Sequence, residues 1–283
     1  MANYVFEFYK SIYDFEESLN RKENSVFEKE PSLSSKEENS WSGTNTWDEA
    51  NKLLHNGWQS GVTEMVKNLE NYKKEIEYKT ITMERSVVGF APCVPAAIVG
   101  HPISMYRNRE ETQSRKMNAV HIMYVMGASS ATSKDFILEC GLTVLKTVVW
   151  LESKGIRVKL DICPKAVASS SYGNAQLAAV LVNVKDYMSP LNLMKMAYPM
   201  AHTAFFRRHG FRWLETCPQI TDGDFRNGYG TSFRYLDGKT RHDFWKAQNI
   251  DTQKMIYLDT QIVGDAHGDP EKLLKRVGGN LHF

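Results

Sequence analysis

The apolar positions along the chain predict a strand–helix–strand unit near its middle. Residues 120–126 form a continuous apolar run, which is typical of a strand buried on both faces. Large apolar residues then recur at helical spacing from about Asp135 to Ser153, and Gly155 follows the end of this predicted helix. Residues 156–162 have the pattern of a second strand. Together these elements indicate an α/β fold built around a right-handed βαβ unit with parallel strands.

The flanking patterns divide the chain into four predicted segments. Residues 1–40 begin with aromatic residues and continue with a charged, serine-rich stretch, so we expect an N-terminal arm and a flexible linker. Residues 41–78 are predicted to be a helical segment, because Thr46 precedes acidic residues and then apolar residues at helical spacing. Residues 79–235 are the predicted α/β core domain, and residues 236–283 are a predicted C-terminal extension with helical or irregular structure.

Composition narrows the class of protein. Hydrophobic residues make up 42% and charged residues 24%, which is ordinary for a globular protein. The formal net charge is only +2, which argues against direct nucleic-acid binding as the main activity. The four cysteines are far apart and form no C-x-x-C pair, which indicates reduced thiols in a cytoplasm. The sequence shows no signal-peptide pattern and no apolar stretch long enough for a membrane span, so we expect no membrane association.

The loop after the first predicted strand is the expected place for a ligand, because open α/β sheets bind ligands beyond the carboxyl ends of their strands. This loop has no phosphate-binding glycine pattern. In the register of the D-x-S-x-S metal motif of von Willebrand A domains, Ser130 and Thr132 match the hydroxyl positions, but Ala128 replaces the acid. The core thus resembles a degenerate von Willebrand A-like domain, and no metal is expected because a hard cation loses its main charged ligand. The alternative is an ordinary helix N-terminus capped by Thr132 or Ser133.

The segment around residues 201–213 concentrates aromatic and basic side chains. One interpretation is a partner-binding surface, since arginine and aromatic residues are common anchors at interfaces. The alternative is a helix end at which the basic residues complement the helix dipole while the aromatic residues enter the core. The C-terminal phenylalanine is a further candidate anchor. The predicted partner-binding residues are Phe205, Phe206, Arg207, Arg208, Arg212, Trp213 and Phe283.

Catalytic signatures are missing from the sequence. It contains neither H-E-x-x-H nor G-x-S-x-G, and His202 and His209 lack the spacing of a zinc helix. The sequence therefore predicts a binding protein without catalytic residues or cofactors. A nucleic-acid-processing enzyme with a dispersed site, using Asp222, Asp224 and His202, is the enzymatic alternative.

Several passages together resemble an uncharacterised family of bacteriophage proteins. The resemblance covers about residues 40–235 and includes the predicted βαβ unit. The passages are Trp41-Ser-Gly-Thr with Trp47-Asp-Glu-Ala50, Asn56-Gly-Trp-Gln-Ser-Gly61, Val99-Gly-His-Pro102 followed by Met105, and Ala201-His with Phe206-Arg-Arg.

The resemblance implies a phage protein made in the cytoplasm of an infected bacterium. Accessory phage proteins of this size include inhibitors of bacterial defence systems, and an anti-Gabija protein is a non-enzymatic oligomer that wraps the defence complex and blocks DNA access. The leading hypothesis is therefore a homo-oligomeric inhibitor that occludes a Gabija-like nuclease complex. The alternative is a degenerate von Willebrand A-like assembly module in phage replication.

Overall fold

The computed structural model describes residues 3–27, 32–33, 39–73, 83–108, 119–128, 132–169, 175–226, 228–252 and 255–277. The chain forms two compact units, one from Met1–Tyr72 with Asn118–Phe283 and the other from Lys73–Met117.

Short regular elements make up most of the described chain. In chain order they are β1 (Asn3–Tyr9), α1 (Ile12–Ser18), α2 (Asn39–Ser42), α3 (Trp47–Asn56), α4 (Gln59–Lys73), β2 (Met83–Ser86), β3 (Ala91–Pro92), α5 (Val94–Ile98), β4 (Met105–Asn108), β5 (Ala119–Val125), α6 (Lys134–Ser153), β6 (Arg157–Ala168), β7 (Gln176–Lys185), α7 (Leu193–Ala201), a π-helical turn (Phe205–His209), α8 (Gly210–Thr216), a 3₁₀ turn (Gly223–Arg226), β8 (Thr231–Ser232), a second 3₁₀ turn (Phe233–Tyr235), α9 (Gly238–Ala247), β9 (Ile256–Asp259), α10 (Thr260–Gly264) and α11 (Pro270–Val277).

The first unit is organised around a mixed sheet with strand order β1-β7-β6-β5-β9, and β8 pairs with β6 beside this path. The predicted α/β class is confirmed. Strands β5 and β6 pair in parallel and are joined by α6, which confirms the predicted βαβ unit. Strand β7 returns antiparallel to β6, whereas β1 and β9 run parallel to β7 and β5.

Both faces of this sheet are covered. Alternation along β5 turns Ile122 and Tyr124 toward one apolar core, which includes residues of α6, α7 and α8. The same alternation turns Met123 and Val125 toward a second core, which includes aromatic residues of α9. Gly141 lets α6 and α7 approach closely, because a Cβ there would lie 2.6 Å from the Cβ of Ala201. The carboxyl ends of β5 and β6 therefore project from a sheet buried on both sides.

The units do not follow the predicted boundaries at residues 40, 78 and 235. Strand β1 lies in the main sheet and pairs with β7 from Asn3↔Gln176 to Tyr9↔Val182, so the start of the chain is part of the core. In the predicted linker, the Asn24 side chain donates to the carbonyl of Cys217 at 2.8 Å. Strand β9 also joins the main sheet. These pairings connect residues far apart in sequence, which local patterns do not reveal.

The second unit contains a small antiparallel sheet in the order β2-β4-β3, with α5 after β3. Within its described part, Cys93 and Ala96 are the buried apolar residues. Gly89 has no room for a side chain, because a Cβ would lie 1.9 Å from the carbonyl oxygen of Tyr106. Large apolar side chains are exposed along this unit at Val87, Val88, Phe90, Val94, Ile98, Val99 and Ile103.

None of the helices within the described ranges has the length and apolar character needed to cross a membrane.

Candidate ligand-binding pocket

The structure places the six described partner-binding candidates in the interior of the first unit. Phe205, Phe206, Arg207, Arg208, Arg212 and Trp213 are all buried. A buried side chain contacts a partner only if the structure around it opens, so these residues do not form the accessible surface that the sequence suggested. Phe283 lies outside the described residues.

Arg208 is an internal anchor. Its guanidinium donates to the backbone carbonyls of Ser32 at 2.8 Å, Thr44 at 2.8 Å and Asn45 at 3.0 Å. Burial lowers the pKa of Arg208. The hydrogen bonds compensate for desolvation of the cation and connect the π-helical turn to residues more than 160 positions earlier in the chain.

Two other residues of this segment tie it to the N-terminal part of the chain. Arg212 donates to the carbonyl of Leu19 at 3.2 Å and pairs with Glu23 at 2.9 Å. The indole of Trp213 donates to the Glu7 carboxylate at 2.7 Å. The segment is therefore basic because it holds internal acceptors, and its aromatic residues enter the core as the alternative interpretation expected.

A cavity of about 520 Å³ opens at the carboxyl ends of β5 and β6. Its walls come from the loop after β5, from β6, from the helical segment that carries Phe206 and Arg207, and from residues 228–232. Gly127 and Ala128 of the loop singled out by sequence line this cavity. The pocket therefore lies at the edge of the sheet where open α/β sheets bind ligands.

Lys165, near the end of β6, is the unusual residue of the pocket wall. Its side chain is only 5% exposed, and its amine lies over the rings of Phe211 at 4.0 Å, Tyr229 at 5.5 Å and Phe206 at 5.6 Å. Across the described residues, it has no hydrogen-bond acceptor and no carboxylate partner. Burial and the charge of Arg207 lower the pKa of Lys165 well below its usual value, while the ring faces favour the charged form.

Arg207 supplies a second cation to the same cavity. Its guanidinium donates to the carbonyl of Thr132 at 2.8 Å and to that of Trp41, and it stacks 4.9 Å from the Trp41 ring centre. Burial lowers the pKa of Arg207 to about 10, so it stays protonated at neutral pH. The pocket thus combines a fixed positive charge with a lysine amine that lacks an acidic partner among the described residues.

Residues 228–230 of the pocket wall have backbone conformations that few residue types adopt. Gly228, Tyr229 and Gly230 all have positive φ angles, of 78°, 61° and 76°. This turn stacks the Tyr229 ring on Phe211 at 4.1 Å, and the Tyr229 hydroxyl donates to Glu215 at 2.5 Å. A tyrosine held at positive φ is uncommon, and such residues cluster at functional sites.

Ser232 adds a buried hydroxyl to the pocket. Its Oγ has no hydrogen-bond partner among the residues described. A Cβ at Gly127 would lie 2.4 Å from this oxygen, so the glycine keeps the space beside Ser232 open. A bound molecule can satisfy the hydroxyl by donating to it or accepting from it.

The predicted metal-site positions are only partly described. Ser130 lies outside the described residues, Ala128 lines the pocket, and the Thr132 carbonyl accepts from Arg207. The described part of the chain contains no group of three or more acidic, histidine or cysteine side chains that could hold a metal ion. Within it, the enzymatic alternative of His202, Asp222 and Asp224 is therefore not assembled into a metal site.

Sequence reasoning missed Lys165. The signal was available, because the lysine interrupts an apolar and small-residue run from Ile162 to Ala168. A charged residue inside a strand buried on both faces needs a partner or a function.

The chain belongs to the family described as a domain of unknown function, DUF7192, which matches residues 2–271. The expectation of an uncharacterised domain family is thereby confirmed. No curated protein matches the chain. No solved structure matches it either.

Proposed function

We propose that this protein acts by binding and that its principal site is the pocket around Lys165. The proposed ligand is a small anion, a carboxylate, sulfonate or phosphate, attached to a planar or apolar body. The observation that carries the proposal is the buried Lys165 side chain, which lines a cavity and has no acidic partner among the described residues.

Electrostatics favours an anion. Buried cations are normally paired, because desolvation is costly and a counter-charge offsets it. Arg207, from the helical segment, also lines the cavity and adds positive potential to it. A ligand anion would supply the charge that the described chain does not place beside Lys165.

The shape of the site favours an aromatic or apolar ligand body. Three aromatic residues, Trp41, Phe211 and Tyr229, line the cavity. Its volume of about 520 Å³ lies within the range of roughly 300–1,000 Å³ that is typical of small-molecule sites.

Isothermal titration with benzoate, phenyl phosphate and naphthalene-1-sulfonate tests this proposal. We expect saturable binding of at least one probe and weaker binding by Lys165→Met, by about 10-fold or more, because a hydrogen bond to a charged group contributes about 1.5–3 kcal/mol. Lys272→Met is the matched control, because Lys272 is exposed on α11. Unchanged affinity in folded Lys165→Met, or no binding of any probe by the parent protein, would contradict the proposal.

A second proposal is the sequence-based hypothesis of a phage-encoded, non-enzymatic inhibitor. Its partner would be a Gabija-like nuclease complex in the cytoplasm of the infected host, and a homo-oligomer would occlude DNA access. The observation in its favour is the exposed apolar surface of the second unit, where Val88, Ile98 and Val99 are each more than 75% exposed. Contiguous exposed apolar residues commonly mark protein interaction sites.

Affinity purification of the tagged protein from bacteria that carry a Gabija operon tests the inhibitor hypothesis. We expect a stoichiometric nuclease complex with reduced DNA cleavage, and loss of both for the double variant Val88→Ser/Ile98→Ser. Met188→Ser is the control, since Met188 is 72% exposed in the first unit, away from this surface in sequence. Recovery of the protein alone with undiminished cleavage would refute this hypothesis and leave the pocket proposal untouched.

A further inference from the structure

We propose that Lys165 captures a carbonyl compound covalently and reversibly, as an imine, and that the natural ligand is an anionic aldehyde or ketone. This inference rests on the proposed function, since it assigns a reactive group to the anion bound in the same pocket.

Imine formation requires an accessible amine that is not committed to another contact. Lys165 lines the cavity, and no carboxylate of the described residues holds its amine in the charged form. The amine lies over the ring faces of Phe211 and Tyr229, which accept no conventional hydrogen bond from it. Burial and Arg207 favour the neutral form, which is the nucleophile.

Lys185 on the neighbouring strand provides an internal contrast. It is 2% exposed, so the two lysines are similarly buried. Its amine donates to the carbonyl of Val158 at 3.0 Å and pairs with Glu152 at 2.6 Å. These contacts occupy the Lys185 amine, whereas Lys165 lines a cavity and its amine contacts ring faces.

The proposed step is balanced without an oxidant or reductant. The Lys165 nitrogen attacks the carbonyl carbon and forms a C–N bond, giving a carbinolamine. The carbonyl oxygen then leaves as water with the two hydrogens that the amine nitrogen loses, and a C=N bond remains. Ser232 supplies a hydroxyl to the same cavity that can hydrogen-bond the departing oxygen, and Arg207 provides positive charge for the anionic group of the ligand.

Reductive trapping of the full-length protein tests the inference. The protein is incubated at neutral pH with 4-formylbenzoate and sodium cyanoborohydride, and modified lysines are identified by peptide mapping. We expect one carboxybenzyl group at Lys165, at a rate at least about tenfold above that of exposed Lys272, because each unit by which the pKa is lowered raises the neutral fraction tenfold. Lys185 should remain unmodified.

Three further measurements separate the covalent step from binding. Lys165→Met should lose the fast adduct while retaining the parent near-ultraviolet circular dichroism, and benzaldehyde, which lacks the anion, should label Lys165 about tenfold more slowly. Benzoate, which has the anion without the carbonyl, should protect Lys165 from labelling.

The possible results show which proposal fails, the anion site or the imine inference. Benzoate binding with no preferential adduct at Lys165 would overturn the imine inference and leave the proposed anion site standing. A fast Lys165 adduct that is equal for benzaldehyde and insensitive to benzoate would overturn the anion site. Labelling confined to exposed lysines, with no benzoate binding, would overturn both.

Discussion

His209, which is buried, and His202, which is half-buried, are expected to make the first unit less stable in acid. Burial lowers the pKa of His209 from 6.5 to about 3; the Ala204 carbonyl opposes this shift, and the nearby charges of His202 and Arg208 reinforce it. Burial likewise lowers the pKa of His202 from 6.5 to about 4. Both imidazoles are therefore mainly neutral in the folded protein at pH 7 and still at pH 5.

The size of the effect follows from the difference between folded and unfolded pKa values. The unfolded chain protonates each histidine near pH 6.5, whereas the folded chain does so only near pH 4 or 3, so stability is complete above pH 6.5 and falls as the pH decreases. At pH 5 the pH lies about 1.5 units below the unfolded histidine pKa of 6.5, while the folded imidazoles are still mainly neutral. Each histidine therefore lowers the free energy of unfolding by about 2 kcal/mol, at about 1.36 kcal/mol per unit. The two together lower the free energy of unfolding by about 4 kcal/mol.

Urea unfolding at pH 7 and pH 5, followed by tryptophan fluorescence, measures this loss. In His209→Gln the loss should be smaller by about 2 kcal/mol, although the variant starts less stable because the ring contacts Tyr198 Oη at 3.2 Å and Asn51 Oδ1 at 3.0 Å. His267→Asn is the control, since His267 is exposed and its positive φ suits asparagine. An equal loss between the two pH values in His209→Gln and in the parent protein would refute the reasoning.

Three further substitutions test the interior of the first unit. Arg208→Met should lower the free energy of unfolding by about 3–5 kcal/mol, because it removes the donor to three backbone carbonyls. Urea unfolding measures this change, and unchanged stability would show that these hydrogen bonds are dispensable. Burial raises the pKa of Glu215 above its usual value of 4.5, so stability is lost as the pH rises from 4.5 toward the raised value. Glu215→Gln should remove this part of the pH dependence of urea unfolding, and an unaltered profile would contradict the assignment. Lys165→Met should raise the free energy of unfolding by about 1 kcal/mol, because removing the desolvated amine outweighs the loss of its ring contacts. A clear decrease in thermal stability would show that the lysine stabilises the fold.

The βαβ unit could be predicted from sequence because its signals are local. The apolar run of β5 and the helical spacing of α6 each specify an element by themselves, and the short connections favour parallel pairing of β5 with β6. The place of β1 could not be predicted in this way. Its aromatic residues indicate a strand, but its partner β7 lies about 170 residues later, and the β1 sequence carries no signal that selects that neighbour.

The role of the basic and aromatic segment was ambiguous for a different physical reason. Arginine beside phenylalanine and tryptophan suits an exposed interface and also a core that contains hydrogen-bond acceptors. The acceptors decide between the two, and here they are backbone carbonyls such as those of Trp41 and Thr44, which come from distant parts of the chain. The sequence shows that arginine donors are present, but only the folded structure shows which carbonyls accept from them.

Comparing each buried basic side chain with its acceptors also identifies Lys165 as the unusual residue of the pocket. Arg208 is matched by carbonyls, Arg212 by Glu23 and a carbonyl, and Lys185 by Glu152 and a carbonyl. Within the described chain, Lys165 has ring faces alone, and it sits at the cavity rather than in the closed core. An unmatched buried amine does not help folding, because an apolar side chain of similar volume would cost less whether the amine is charged or neutral. This lack of a matching group is the physical basis for the proposal that Lys165 contacts a ligand in the pocket.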